Sequence, residues 1–194
     1  MSRAEGSANV LTELPSGTLT FLLSDIEDST TAWDQHPDSM RRALEIHDEI
    51  FQSAASHHNG RLVELGREGD SVLCVFRRPS EAVACALNAQ LALQRAKWPA
   101  GAAIRVRIAL HTGEADVRDG HYFGPAVYRC ARLMATSSGG QTILSGPTHD
   151  LVVDSLPQSV SLLDLGSHRL KDLSRPERVF QVMHPDLPHD FPVL

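Results

Sequence analysis

The chain has 194 residues, 42% of them hydrophobic, with a formal net charge of −6 and a pI near 5.9. That length suits one domain with a substantial core, and the acidic balance argues against nucleic acid or an anionic membrane as a direct partner. No apolar run nears membrane-spanning length, no signal-peptide core opens the chain, and Cys74, Cys85 and Cys130 lie in apolar segments without C-x-x-C spacing. The expectation is a cytoplasmic protein whose thiols are reduced and buried.

Residues 1–14 are small and polar and read as a flexible leader to a domain over 15–184. Residues 18–24 are rich in β-formers and predict a buried strand, with Asp25 where it stops and Ser29 or Thr30 capping a helix beyond. Pro37 suits the first turn of a second helix, whose Met40, Leu44, Ile50 or Phe51 and Ala54 share one face; Asn59-Gly60 ends it. A hairpin follows, 61–65 against 71–76, with Asp70 just past its turn. Pro79-Ser80 opens a helix to about residue 97, stopped by Trp98-Pro99-Ala100-Gly101. Residues 104–111 alternate strictly, predicting a strand with one buried face, and Asp119-Gly120 marks a turn. The order strand, helix, strand, strand, helix, strand is a ferredoxin-like βαββαβ layout of the α+β class, its sheet covered on one face by helices. Gly124-Pro125 starts a third long helix, to about residue 136. A short strand over 141–145, a short helix over 146–154 and a hairpin of 161–170 with 178–183 complete the domain. The Pro-rich tail, 185–194, is expected to be extended, as a linker would be.

Two carboxylates stand out. Asp25 and Asp70 would come from neighbouring strand ends, and two hard oxygen ligands so placed suit the paired divalent cations of phosphoryl transfer. Taken singly, each also fits a helix cap or ordinary turn chemistry.

Ser24-Asp25-Ile26-Glu27-Asp28-Ser29-Thr30 and Glu68-Gly69-Asp70-Ser71-Val72-Leu73-Cys74-Val75-Phe76 resemble the metal-binding segments of class III nucleotidyl cyclases. The likeness continues through Ile108-Ala109-Leu110-His111-Thr112-Gly113-Glu114, Phe123 to Leu133 and Gly139 to Ser145. It implies the cyclase-type ferredoxin-like core with a C-terminal helix and hairpin extension. It also implies two Mg²⁺ or Mn²⁺ ions held by Asp25, Asp70 and the Ile26 carbonyl. The implied reaction converts a nucleoside triphosphate, ATP by family frequency, into a 3′,5′-cyclic nucleotide and pyrophosphate. The implied assembly is a homodimer whose active sites are shared between chains. Arg132 stands where the family steadies charge on the α-phosphate, and Lys171 resembles the lysine that contacts the polyphosphate.

Four positions depart from the family pattern. Gly66 replaces the adenine-reading lysine, with Arg67 beside it as a substitute, and His121 replaces the acidic partner of that lysine. Tyr128 stands for the ribose-orienting asparagine, and Asp28 for a glycine three residues after the first metal aspartate. The expectation is a cyclase of low or relaxed activity. The alternative is a catalytically degenerate module that binds nucleotide or a partner domain.

Overall fold

A computed structural model describes residues 14–63 and 69–194. The first strand, β1 (Gly17–Ile26), is buried on both faces, which accounts for its nearly unbroken apolar run. Leu22 and Ile26 enter one core cluster; Leu19, Phe21 and Leu23 enter another on the opposite face. Helix α1 (Ser29–Gln35) follows, then α2 (Pro37–His57), β2 (Arg61–Val63), β3 (Val72–Phe76) and α3 (Pro79–Arg95). The long strand β4 (Val106–Arg118) folds back into β5 (His121–Phe123). Helix α4 (Pro125–Met134), β6 (Thr142–Ser145), α5 (Gly146–Val152), β7 (Ser161–His168) and β8 (Glu177–Met183) complete the order.

The sheet runs β2-β3-β1-β4-β6-β8-β7, with β5 paired to β4 beside this path. Its β2-β3-β1-β4 half, with α2 and α3 between the strands in sequence, is the ferredoxin-like core. β6 joins β4 in parallel, and β7 with β8 forms the antiparallel C-terminal hairpin.

Several expectations are corrected by the packing. Helices do not cover one face alone. Met40, Ala43 and Phe51 of α2, with Ala82, Val83 and Ala86 of α3, fill one face, while Ala126, Cys130 and Leu133 of α4 cover the other. Both faces of β4 are therefore buried: Val106, Ile108 and Leu110 on one side, Ala109 and His111 on the other. Strict alternation in the sequence reflects a change of core partner rather than a wet face. The N-cap position of the first helix is Asp28, in the left-handed region (φ 55°) and without a side-chain cap bond, while Ser29 and Thr30 lie inside the helix. The tail is extended but held: Leu187 is buried, and Gln181 Nε2 donates to the His189 carbonyl at 3.0 Å. Phe191 and Leu187 line, with Trp98, Leu93 and Ile104, a cavity of about 580 Å³.

The three thiols are buried and free, as expected. Burial pushes Cys130 up to about 12, and a hydrogen bond with Cys85, reinforced by burial, raises Cys74 far above the ordinary thiol range.

His111 is 4% exposed, and its Nδ1 lies 2.8 Å from Ser145 Oγ in a hydroxyl network with Thr148, Thr112 and Thr20. Burial, with Arg129 nearby, lowers its pKa from 6.5 to about 4. The unfolded chain thus takes up a proton below pH 6.5 that the folded chain refuses until about pH 4. Stability rises with pH across that window, so the His111 contribution, of order 3 kcal/mol, is lost on acidification. Urea denaturation at pH 7 and pH 5 should show a smaller pH-dependent loss for His111→Asn than for the wild type. An equal loss in both proteins would show that other groups carry it.

Candidate active site

The site begins where β1 ends. Asp25 lies inside the strand, one residue before its end at Ile26, not beyond it as the sequence suggested. It sits opposite Arg107 on β4, and the two side chains meet: Arg107 donates to Asp25 Oδ2 from Nη2 at 2.6 Å and from Nε at 3.1 Å. Ser71 donates to the other carboxylate oxygen, Oδ1, at 3.0 Å. Both Asp25 oxygens are thus occupied by groups from the two neighbouring strands' chain segments.

Asp70, next to Ser71, is in the opposite condition. Its Oδ2 is buried and has no hydrogen-bond partner among the described residues. A buried carboxylate oxygen without a donor is costly, and a cation is the partner that satisfies it most completely. Asp70 therefore fits a metal ligand better than a turn former. The Ile26 side chain is a buried hydrocarbon, so the residue's one ligand atom toward a metal would be its backbone carbonyl oxygen. Among the described residues no group of three or more His, Cys, Asp or Glu side chains is gathered in metal-holding geometry. A two-carboxylate site, completed by a carbonyl and by phosphate oxygens, is the arrangement the residues support.

Glu27, the next residue, braces this corner. Its Oε1 accepts the Gly139 N–H at 2.7 Å, and its Oε2 pairs with Arg105 at 2.7 Å. A Cβ on Gly139 would meet Arg105 Cβ and Glu27 Oε2, each at 2.7 Å, so glycine alone permits the clasp.

A second cluster lies on α4. Ala126, Cys130 and Leu133 pack on the sheet, while Tyr128 and Arg132, one turn apart, point away. Tyr128 is 63% exposed. Arg132 Nη2 donates to Asp172 Oδ2 at 2.6 Å. Both line a cleft of about 390 Å³ with Pro125, Arg129, Asp172 and Leu173. Lys171 is exposed next to Asp172 in the chain, but it does not line that cleft; the residue that meets Arg132 there is Asp172, which the sequence reading did not single out. No residue of the Asp25–Asp70 corner lines that cleft. His121 is exposed at the start of β5, opposite Arg118. Gly66 and Arg67 lie outside the described residues.

The sequence profile of the adenylate and guanylate cyclase catalytic domain matches residues 12–179. The chain belongs to that family. An uncharacterized protein of Mycobacterium tuberculosis is 45% identical over 180 residues, covering 93% of this chain. The chain spans 61% of that relative's length. An adenylate cyclase of Lachancea kluyveri is 30% identical over 156 residues, covering 68% of this chain and 8% of that protein. The solved structure of an adenylate/guanylate cyclase/hydrolase from Silicibacter pomeroyi superposes with a TM-score of 0.76 at 28% identity. The match covers 89% of this chain and 99% of that one.

Membership gives the cyclase-type departures a physical reading. Asp28 holds φ 55° and ψ 26°, a left-handed conformation that glycine adopts freely and aspartate tolerates better than most. Asp28 thus stands in a conformation that a glycine would also adopt. Arg107 and Ser71 are the neighbours that sequence reasoning missed. The available signal was a charged residue, Arg107, alternating into a position now seen beside a buried stretch of β4.

Proposed function

We propose that this cyclase domain converts ATP into 3′,5′-cyclic AMP and pyrophosphate with two Mg²⁺ or Mn²⁺ ions, as a cytoplasmic homodimer with two shared sites. The observation that carries the reading is the buried Oδ2 of Asp70, without a partner among the described residues and one residue from the Ser71 hydroxyl that binds Asp25. The likeness to the Lachancea kluyveri adenylate cyclase supports ATP as substrate. Among the described residues no helix is long and apolar enough to cross a membrane, in keeping with the proposed location.

In the proposed reaction the ribose 3′-oxygen bonds to the α-phosphorus while the bond from that phosphorus to the bridging oxygen of pyrophosphate breaks; the hydroxyl proton is lost to solvent. Asp25, Asp70 and the Ile26 carbonyl would hold the ions, whose chemistry is to acidify the hydroxyl and neutralise phosphate charge. Arg132 carries a permanent charge and forked donors suited to the oxygens of the α-phosphate. Lys171 would contact the polyphosphate tail, the role its resemblance to the family lysine implies. In the proposed homodimer a second chain brings the two halves together, in keeping with an Arg132 cleft that no residue of the Asp25–Asp70 corner lines. Tyr128 offers a hydroxyl donor where the family uses a smaller amide, and His121 offers a tautomer-dependent donor or acceptor to the base. Both point to modest rate and relaxed base choice.

The test is purified protein incubated with Mn²⁺ and ATP or GTP, with cyclic product measured by mass. Cyclic AMP formation is the expected result. Binding of metal and triphosphate with no cyclic product would replace this reading with the non-catalytic nucleotide-binding module.

A further inference from the structure

Arg107 completes a half-buried ion pair at the carboxylate assigned above to metal: its side chain is 28% exposed and that of Asp25 is 19%. It donates twice to one oxygen, while Ser71 takes the other. A guanidinium bound this way already neutralises Asp25, so a cation reaching that carboxylate meets a like charge already in place. Asp70 has no such guest; its Oδ2 stands without a partner among the described residues. The two proposed metal ligands are therefore unequal before any ion arrives. Asp25 is held by a charge that belongs to the chain, and Asp70 Oδ2 meets no such charge among the described residues.

Resting on the reading of Asp25 and Asp70 as metal ligands, we propose that Arg107 is a resident counter-cation of Asp25. It keeps free divalent metal off that carboxylate and yields it only when metal arrives with a triphosphate. The physical reason is charge balance. A divalent ion alone must displace a monovalent guanidinium from a partly buried carboxylate, leaving Arg107 without an anion beside a new positive charge. A metal–triphosphate brings its own anionic oxygens, to which the freed guanidinium can turn within one side-chain length. Loading is thereby ordered: Asp70 is open to metal from the start, and Asp25 joins with the nucleotide. Arg107 is a positioning residue in this scheme, acting through the carboxylate it guards.

The experiment is Mn²⁺ binding followed by electron paramagnetic resonance, with and without a non-hydrolysable ATP analogue, on wild type, Arg107→Gln and Arg107→Lys. Removing the guanidinium should tighten binding of Mn²⁺ alone by about tenfold, the scale of losing a paired charge at a partly buried carboxylate. With the analogue present the gain should vanish or reverse, because the freed Arg107 then has an anion to meet. Arg107→Lys, still cationic but without the fork, should fall between. Glutamine binding Mn²⁺ no tighter than arginine would overturn the proposal, and a gain that persists with the analogue would overturn its triphosphate half. Asp25→Asn and Asp70→Asn in the same titration separate the two levels: unchanged Mn²⁺ binding in both would instead sink the metal assignment. Should Arg107→Gln fail to fold, wild-type NMR decides. The Arg107 Nε–H signal, assigned through Arg107→Lys, should stay protected with Mg²⁺ alone and shift when the analogue is added. A shift complete with Mg²⁺ alone, or none in either condition, would overturn the proposal.

Discussion

Replacing Asp70 with asparagine is expected to lower cyclic nucleotide formation by about a thousandfold, because a metal's contribution to phosphoryl transfer is several kcal/mol. The same substitution should not destabilise the fold and should even stabilise it slightly, which makes the prediction sharp. Asp70 Oδ2 is buried without a donor among the described residues, so the metal-free chain should carry the cost of a desolvated, uncompensated carboxylate oxygen. Asparagine removes that negative charge while keeping the shape. Asp25→Asn should be equally damaging to turnover but opposite in stability. Asp25 accepts two hydrogen bonds from Arg107 and one from Ser71, and its amide analogue would leave a half-buried guanidinium short of its counter-charge. Thermal melts of the two metal-free variants, set beside their rates, check the pair. If Asp70→Asn melts well below the wild type, Asp70 is serving the turn as a structural acceptor and the metal reading weakens.

The contrast between these two aspartates also shows what the sequence could convey. Both were legible as candidate ligands, since short motifs at strand ends carry them. The elements were legible too, because hydrophobic periodicity is a local property: α2, α3, α4 and the C-terminal hairpin begin and end within a few residues of their expected places. What was not legible depends on contacts distant in sequence. Residues 104–111 alternate as a half-exposed strand would, yet α4, arriving later in the chain, buries the second face through Cys130 and Leu133. Alternation marks two environments and does not say that one of them is water. For the same reason Arg107 and Asp172 were not singled out. Their partners, Asp25 and Arg132, lie 82 and 40 residues away in sequence. The tail read as a free linker because prolines forbid helix, but extended chain can still pack, as Leu187 does.

The arrangement of the two clusters leads to the remaining large effect. Asp70→Ala and Arg132→Ala should each abolish most activity when pure, the arginine by a hundredfold or more as the loss of a transition-state donor. Mixed in equal amounts and allowed to exchange, they should recover about a quarter of the wild-type rate, because in a two-fold dimer half the pairs are mixed and each mixed pair rebuilds one of its two sites. The reason lies on α4. Arg132 and Tyr128 project from the side of the helix opposite the one packed on the sheet, into a cleft with Asp172 and Leu173 that no residue of the Asp25–Asp70 corner lines. Arg132→Ala strips only an exposed ion pair with Asp172, so the variant should fold normally and exchange freely. Sedimentation of the mixture, with one chain carrying a mass tag, verifies that mixed dimers form. Recovery near a quarter would place the two halves of each site on different chains. Verified mixed dimers that remain inactive would mean that each chain must supply both clusters to its own site, and the shared-site proposal would fall.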